Sequence, residues 1–176
     1  DFSENSRDFE TAQAFASSWN NLPFESVYTF DQFEDWFQPL DSKDIKSKDV
    51  LELGCGNGSL LVHLVNWDPK SVLGIDLGDA VLSARKNLTK FNNVEIRQAD
   101  LTKYCGEKKF DVVYSIGVLH HLKEPRVGFS AVLDNVVSGG KFHCWVYAKE
   151  GNIIVRMLVE PLRKMTSKLP WWVTKY

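Results

Sequence analysis

The stretch Val50-Leu51-Glu52-Leu53-Gly54-Cys55-Gly56-Asn57-Gly58 constrains this chain more than any other. An apolar run long enough for one buried strand breaks into three alternating glycines. An apolar-periodic segment, Ser59 to Trp67 with Leu60, Leu61, Leu64 and Val65, follows at once. A strand must therefore turn sharply into a helix. Glycine adopts the left-handed backbone without penalty and lets the main chain approach a ligand with no Cβ in the way. A tight βα turn and a nucleoside-cradling loop both fit, but three alternating glycines exceed what a turn needs.

The same strand-to-helix rhythm continues downstream. Short apolar runs predict strands at Asp49 to Leu53, Ser71 to Asp76, Val94 to Asp100, Phe110 to Ile116 and Lys141 to Tyr147. Helical spacing fills the gaps at 59–67, at Asp79 to Phe91 and at Pro125 to Val137. Pro125 suits a first helical position, and Ser138-Gly139-Gly140 is expected to stop that helix before the last strand. This alternation reads as an α/β fold with a parallel sheet. Ahead of it, Asp8 to Asn20 and Phe30 to Leu40 read as two helices with a bulky face of Phe15, Trp19, Phe33, Trp36 and Phe37. The organisation expected is a helical amino-terminal cap over 1–47, an α/β core over 48–148 and a helical tail over 149–176, kinked near Pro161.

At 176 residues, 44% hydrophobic and 25% charged, the chain suits a single domain with a real core. A net charge of -2 gives no general attraction to nucleic acid or to an anionic membrane. Cys55, Cys105 and Cys144 form no C-x-x-C spacing, which argues against a disulfide framework and against a metal site. With no apolar run of the ~20 residues a span needs and no signal-peptide pattern at Asp1-Phe2-Ser3-Glu4, a cytoplasmic location is expected. Residues 151–176 carry a net charge of +4 among Ile153, Met157, Leu158, Trp171 and Trp172, which admits contact with a membrane surface beside the plainer reading of a packed, solvated helix. The missing initiating Met and the abrupt aromatic end at Tyr176 suggest a fragment of a longer protein.

Two carboxylates complete the pattern. Asp76 closes the second strand, where parallel topology brings it beside the glycine turn, in reach of both ribose hydroxyls of an adenosine. Asp100 closes the third strand, where it faces an adenine amino group, with Leu77 and Leu101 placed to sandwich the ring. Each Asp alone is more often a cap. Three successive βα turns carrying G-x-G-x-G, Asp and Asp are hard to explain by capping.

Residues 48–147 thus resemble the class I S-adenosylmethionine-dependent methyltransferases. The resemblance rests on Glu52 to Gly58, Asp76, Asp100, the string Phe110-Asp111-Val112-Val113-Tyr114-Ser115-Ile116-Gly117-Val118-Leu119-His120-His121-Leu122, and Val136 to Gly140 before the final strand. The long string is similar to that of the small-molecule branch containing ubiquinone and menaquinone biosynthesis methyltransferases. The family implies a Rossmann-like sheet in the order 3-2-1-4-5 with helices on both faces, closed by a carboxyl-terminal hairpin for which 148–176 offers no strand. It implies S-adenosylmethionine as cofactor, held by Glu52, Gly54, Cys55, Gly56, Gly58, Asp76, Leu77, Asp100 and Leu101, with the backbone near Ser115 and Ile116 at the methionine amino group. No Asp/Asn-Pro-Pro-Tyr/Phe motif follows Tyr114 and no Pro-Cys nucleophile is present, so a small-molecule acceptor is expected and nucleic acid is disfavoured.

A sulfonium methyl is already activated, so transfer needs chiefly a nucleophile held in line in a dry pocket. His120 and His121, after the fourth strand, are candidates for a general base or for turn packing. Tyr28 and Gln32 are candidates for the methionine carboxylate, while His63 and His143 read as structural. Two rival readings stay open: a nicotinamide-dependent oxidoreductase and a non-catalytic cofactor-binding protein.

Overall fold

The computed structural model describes residues 7–19, 27–106 and 108–148. Elements follow in the order α1 (Arg7–Trp19), α2 (Phe30–Phe37), α3 (Ser42–Ile45), β1 (Asp49–Leu53), α4 (Leu61–Leu64, continued by a 3-10 turn Val65–Trp67), β2 (Ser71–Asp76), α5 (Ala80–Asn87), β3 (Val94–Gln98), β4 (Phe110–Ile116), α6 (Pro125–Asp134) and β5 (Val136–Trp145). The five strands form one parallel sheet in the order β3-β2-β1-β4-β5. The α/β class and strand order expected from the sequence are those observed.

Alternation of side chains along the central strands builds two cores. Val50, Val72, Ile96, Val112 and Tyr114 face α2, α3, α4 and α5, packing on Phe33, Phe37, Ile45, Leu61, Leu64 and Val81. Leu51, Leu53, Leu73, Ile75 and Val113 face the other way, onto Leu119 and Val132. All five residues of β1 are buried, as a central parallel strand covered on both faces must be.

The chain divides into two compact units, residues 1–146 and 147–176. Of the second unit only Tyr147 and Ala148 are described, so the expected tail helix, its membrane contact and the question of further strands in 149–176 lie outside the described residues.

Local differences have identifiable causes. The third strand ends at Gln98 rather than Asp100, because the Asp100 carboxylate turns back to accept from Thr102 N–H at 2.9 Å and Thr102 Oγ1 at 2.6 Å. The helix expected over 125–137 stops at Asp134, and Ser138-Gly139-Gly140 lies inside β5 instead of before it. Buried Asn135 ends the helix by donating to the Tyr104 and Ala131 carbonyls while its Oδ1 accepts from Gly106 N–H. Gly139, at φ +78°, then absorbs the irregularity in register between Phe110/Val136 and Val112/Lys141.

The start of β1 carries an electrostatic clasp. Asp49 accepts from Ser71 Oγ and pairs with Lys108 at 2.8 Å and Lys70 at 3.1 Å. Burial alone raises a carboxyl, but here the bonds from Lys108, Ser71 and Lys70 outweigh it and hold Asp49 well below the usual carboxylate range. A depressed folded pKa contributes stability above the unfolded value near 4 that is lost as pH falls further. Asp49→Asn is therefore expected to cost about 1 kcal/mol at pH 7, the exposed lysines keeping it modest, and the difference should shrink below about pH 4 in urea titrations at stepped pH.

Candidate cofactor site

The glycine turn is held open at the carboxyl end of the sheet. Gly54, Gly56 and Gly58 all have positive φ, at +88°, +52° and +81°. The Gly54 and Cys55 N–H groups both donate to the Ile75 carbonyl, at 2.7 and 2.9 Å, which ties the turn to the end of β2. A methyl group added at Gly54 would lie 2.4 Å from Val118 Cγ2, so strain and close packing both exclude a side chain there. Gly54→Ala is expected to destabilise by about 1 to 2 kcal/mol from the left-handed backbone alone, read as a lowered denaturation midpoint.

Asp76 lies beside this turn, as its position at the end of β2 predicts. Its Oδ2 accepts from Gly56 N–H and its Oδ1 from Gly78 N–H, both at 2.9 Å. Burial raises the Asp76 carboxyl, with the Gly78, Gly56 and Leu77 amides opposing the rise. Each oxygen keeps a lone pair after one such bond, so the side chain can brace the glycine turn and still accept from hydroxyl groups. The bracing role was not legible in the sequence.

Glu52 is the most constrained group of the site. It is 1% exposed, and among the described residues neither carboxylate oxygen has a hydrogen-bond partner. Burial pushes the carboxyl up to about 8; the Tyr114 hydroxyl opposes that rise and the Asp76 charge adds to it. The hydroxyl is near enough to be felt, yet it makes no hydrogen bond of ordinary geometry and is itself unsatisfied. Burial also raises the Cys55 thiol, helped by Asp76 and Glu52, which leaves that cysteine inert at neutral pH.

Leu77 is half-buried after β2 and Leu101 is buried after β3, while Asp100 is engaged with Thr102 and, at 3.4 Å, with Lys103. Ser115 is fully buried and its Oγ donates to the Leu53 carbonyl at 2.8 Å, stapling the end of β4 to the residue before Gly54; Ile116 follows, also buried. His120 and His121 occupy a 3-10 turn (Leu119–His121) after β4, with ring centroids 4.1 Å apart. Burial lowers His120. Gln32 is committed elsewhere: its side chain accepts from Thr29 N–H and completes the capping box of α2. His63 and His143 bond the Tyr28 and Trp36 carbonyls and pack on Phe33 and Phe37, which is a structural role.

The sequence reads α1 only as part of an amino-terminal cap, and its individual contacts come from the tertiary structure. Ala12 closes on Gly78, where an added Cβ would meet the Ala12 carbonyl at 2.8 Å; the Trp19 indole stands 3.7 Å from the corresponding point at Gly56. Phe15 packs on His121 at 4.9 Å, and Asp8 accepts from Lys123 N–H at 2.8 Å. The helix thus touches the turns that follow β1, β2 and β4. Asn57 and Asn87 brace the glycine turn through an amide-to-carbonyl bond of 3.1 Å, another pairing that no local pattern announces.

The family model described as "Methyltransferase domain" matches residues 51–142, more than half of the chain. The chain belongs to the methyltransferase domain family. Among curated relatives, tRNA U34 carboxymethyltransferases resemble this methyltransferase domain: that of Helicobacter acinonychis is 31% identical over 134 residues, covering 70% of this chain and 51% of the relative. That of Pasteurella multocida is 31% identical over 114 residues, covering 62% and 35%. The chain therefore spans about a third to a half of the length of these two relatives. Among solved structures, the N-methyltransferase NodS of Bradyrhizobium japonicum with S-adenosyl-L-homocysteine aligns with TM-score 0.63 at 16% identity over 78% of this chain and 71% of that one. A DhpI-SAM-HEP complex aligns with TM-score 0.64 at 22% identity over 93% and 72%. At these identities the likeness establishes the fold.

The described residues suit a cationic adenosine cofactor. A buried acid with both oxygens unsatisfied stands two residues before the glycine turn, and a carboxylate with spare acceptor capacity stands beside it. Among the described residues no helix is long and apolar enough to cross a membrane.

Proposed function

We propose that this domain binds S-adenosylmethionine and transfers its methyl group by in-line displacement to a small-molecule acceptor. The carrying observation is the buried, unsatisfied Glu52 carboxyl beside a glycine turn braced by Asp76. It favours a positively charged ligand over a nicotinamide dinucleotide. In this reading Gly54, Cys55, Gly56 and Gly58 offer close backbone approach, Asp76 accepts from the ribose hydroxyls, and Leu77, Asp100 and Leu101 form the adenine edge. The backbone at Ser115 and Ile116 takes the methionine amino group, and the helices within 1–47 act as a cap that excludes water.

The bound cofactor supplies an activated methyl group, so the protein needs to position and desolvate. His120 and His121 are the candidate bases, and burial lowers His120, which keeps it neutral and able to accept a proton at pH 7. The string Phe110 to Leu122 supports an acceptor of the ubiquinone or menaquinone precursor kind. The names of the curated relatives raise a tRNA acceptor instead; against it stands the charge of -6 on residues 1–150. A cytoplasmic setting fits the three cysteines without a disulfide spacing.

Calorimetric titration with S-adenosylhomocysteine and, separately, NADH tests the cofactor reading. Saturable binding of the first alone is expected; binding of NADH alone would sink it. Transfer of label from S-adenosylmethionine to quinone-precursor phenols or to tRNA then separates the acceptors. His120→Ala and His121→Ala should bind S-adenosylhomocysteine as the unaltered protein does, because the adenosine subsite is built by the ends of β1, β2 and β3. Loss of affinity in either variant would contradict that placement.

A further inference from the structure

We propose that capture of the cofactor by this domain expels one proton from Glu52, with Tyr114 as the positioning residue that sets the pH range of the coupling. The inference rests on the cofactor reading above and deepens it.

Glu52 and Tyr114 are register partners on adjacent strands β1 and β4, and both are buried to 1% or less. Their three polar side-chain atoms, both carboxylate oxygens and the hydroxyl, find no hydrogen-bond partner among the described residues. A buried anion without a partner is costly, whereas the protonated acid is tolerated. Among the described residues the surroundings offer no compensating cation. From β2 comes the carboxylate of Asp76, which repels; from the glycine turn comes the Cys55 thiol; from α2 come Phe33 and Phe37, the latter ring packed on Tyr114 at 5.0 Å. From β5, His143 packs on Phe37 and bonds the Trp36 carbonyl. From α5, Arg85 bonds the Ile96 carbonyl through Nε. The cofactor-free protein therefore holds Glu52 as a neutral acid at neutral pH.

A ligand that brings an ammonium group reverses this balance. The carboxyl O–H bond breaks, its electron pair stays on Glu52, the proton goes to buffer, and the resulting carboxylate is stabilised by the charge of the incoming ammonium that the backbone at Ser115 and Ile116 holds. Nothing is oxidised or reduced. With the free carboxyl near 8, affinity should fall roughly tenfold per pH unit below that value, about fiftyfold between pH 8 and pH 6. Tyr114 enters because its hydroxyl favours the ionised form. Tyr114→Phe should shift the affinity profile to higher pH, so that its deficit against the unaltered protein is largest at pH 6 and narrows toward pH 8.5, whereas a packing role would lower affinity equally at every pH.

The experiment is calorimetry of S-adenosylhomocysteine binding between pH 6 and pH 8.5, in pairs of buffers differing in ionisation enthalpy. Release of close to one proton at pH 6.5, declining toward pH 8.5, is expected, together with the shifted profile of Tyr114→Phe. Glu52→Gln, which keeps shape without titrating, should bind weakly with no proton release from this site. Binding that is flat in pH and buffer-independent would overturn this inference alone. Proton release that persists in Glu52→Gln would assign it to another group and overturn it as well. Absence of binding at every pH would remove the cofactor reading together with it.

Discussion

Glu52→Gln is expected to make the cofactor-free protein more stable at pH 8, by up to about 4 kcal/mol, while weakening its hold on S-adenosylmethionine. The folded carboxyl titrates near 8 and an unfolded one near 4.5. The folded state therefore keeps a proton that the unfolded chain has released throughout that interval. Stability falls as pH climbs from about 4.5 to about 8, because ionising the unfolded carboxyl draws the equilibrium toward unfolding. Glutamine does not titrate, so the advantage of the variant should grow across this window and vanish below it. Urea denaturation of both proteins at pH 4.5, 6 and 8 measures the gap. A constant difference at all three values would show that Glu52 is not held neutral by burial.

Asp76→Ala is expected to lower affinity for S-adenosylmethionine and S-adenosylhomocysteine by tenfold to a hundredfold or more. Hydrogen bonds to a charged group contribute about 1.5 to 3 kcal/mol, and the pair of ribose hydroxyls would lose their acceptor. The geometry adds a second loss. Gly56 N–H and Gly78 N–H both end on this carboxylate at 2.9 Å, so the variant strands two backbone donors and loosens the turn it braces. Denaturation should register a further loss of about 1 to 3 kcal/mol. Asp76→Asn separates the two effects, since its carbonyl still accepts one amide. An Asp76→Ala protein with unchanged affinity in calorimetry would remove Asp76 from the site.

Much of the fold was legible because it depends on local period. The bounds of β1, β2 and β4 coincide with their apolar runs, since a strand covered on both faces is apolar at consecutive residues and is recognised without alternation. The boundaries misread were set by side-chain bonds that no hydrophobic pattern encodes: Asp100 turning onto Thr102, and Asn135 stopping α6 so that β5 begins before the glycines.

The sequence by itself determined the order of strands and turns, and with it the gathering of Glu52, Gly54 to Gly58, Asp76 and Asp100 toward one end of a parallel sheet. Parallel βα units place every strand's carboxyl end on the same edge, so residue position along the chain translates directly into position in the sheet. The tertiary structure alone decided what state those residues are in. It set Tyr114 against Glu52 across 62 residues of chain, gave Asp76 the task of bracing Gly56 and Gly78, and laid α1 against the turns after β1, β2 and β4. Those facts depend on which side chains are desolvated together, and desolvation is a property of the packed whole that no spacing of residues along a chain expresses.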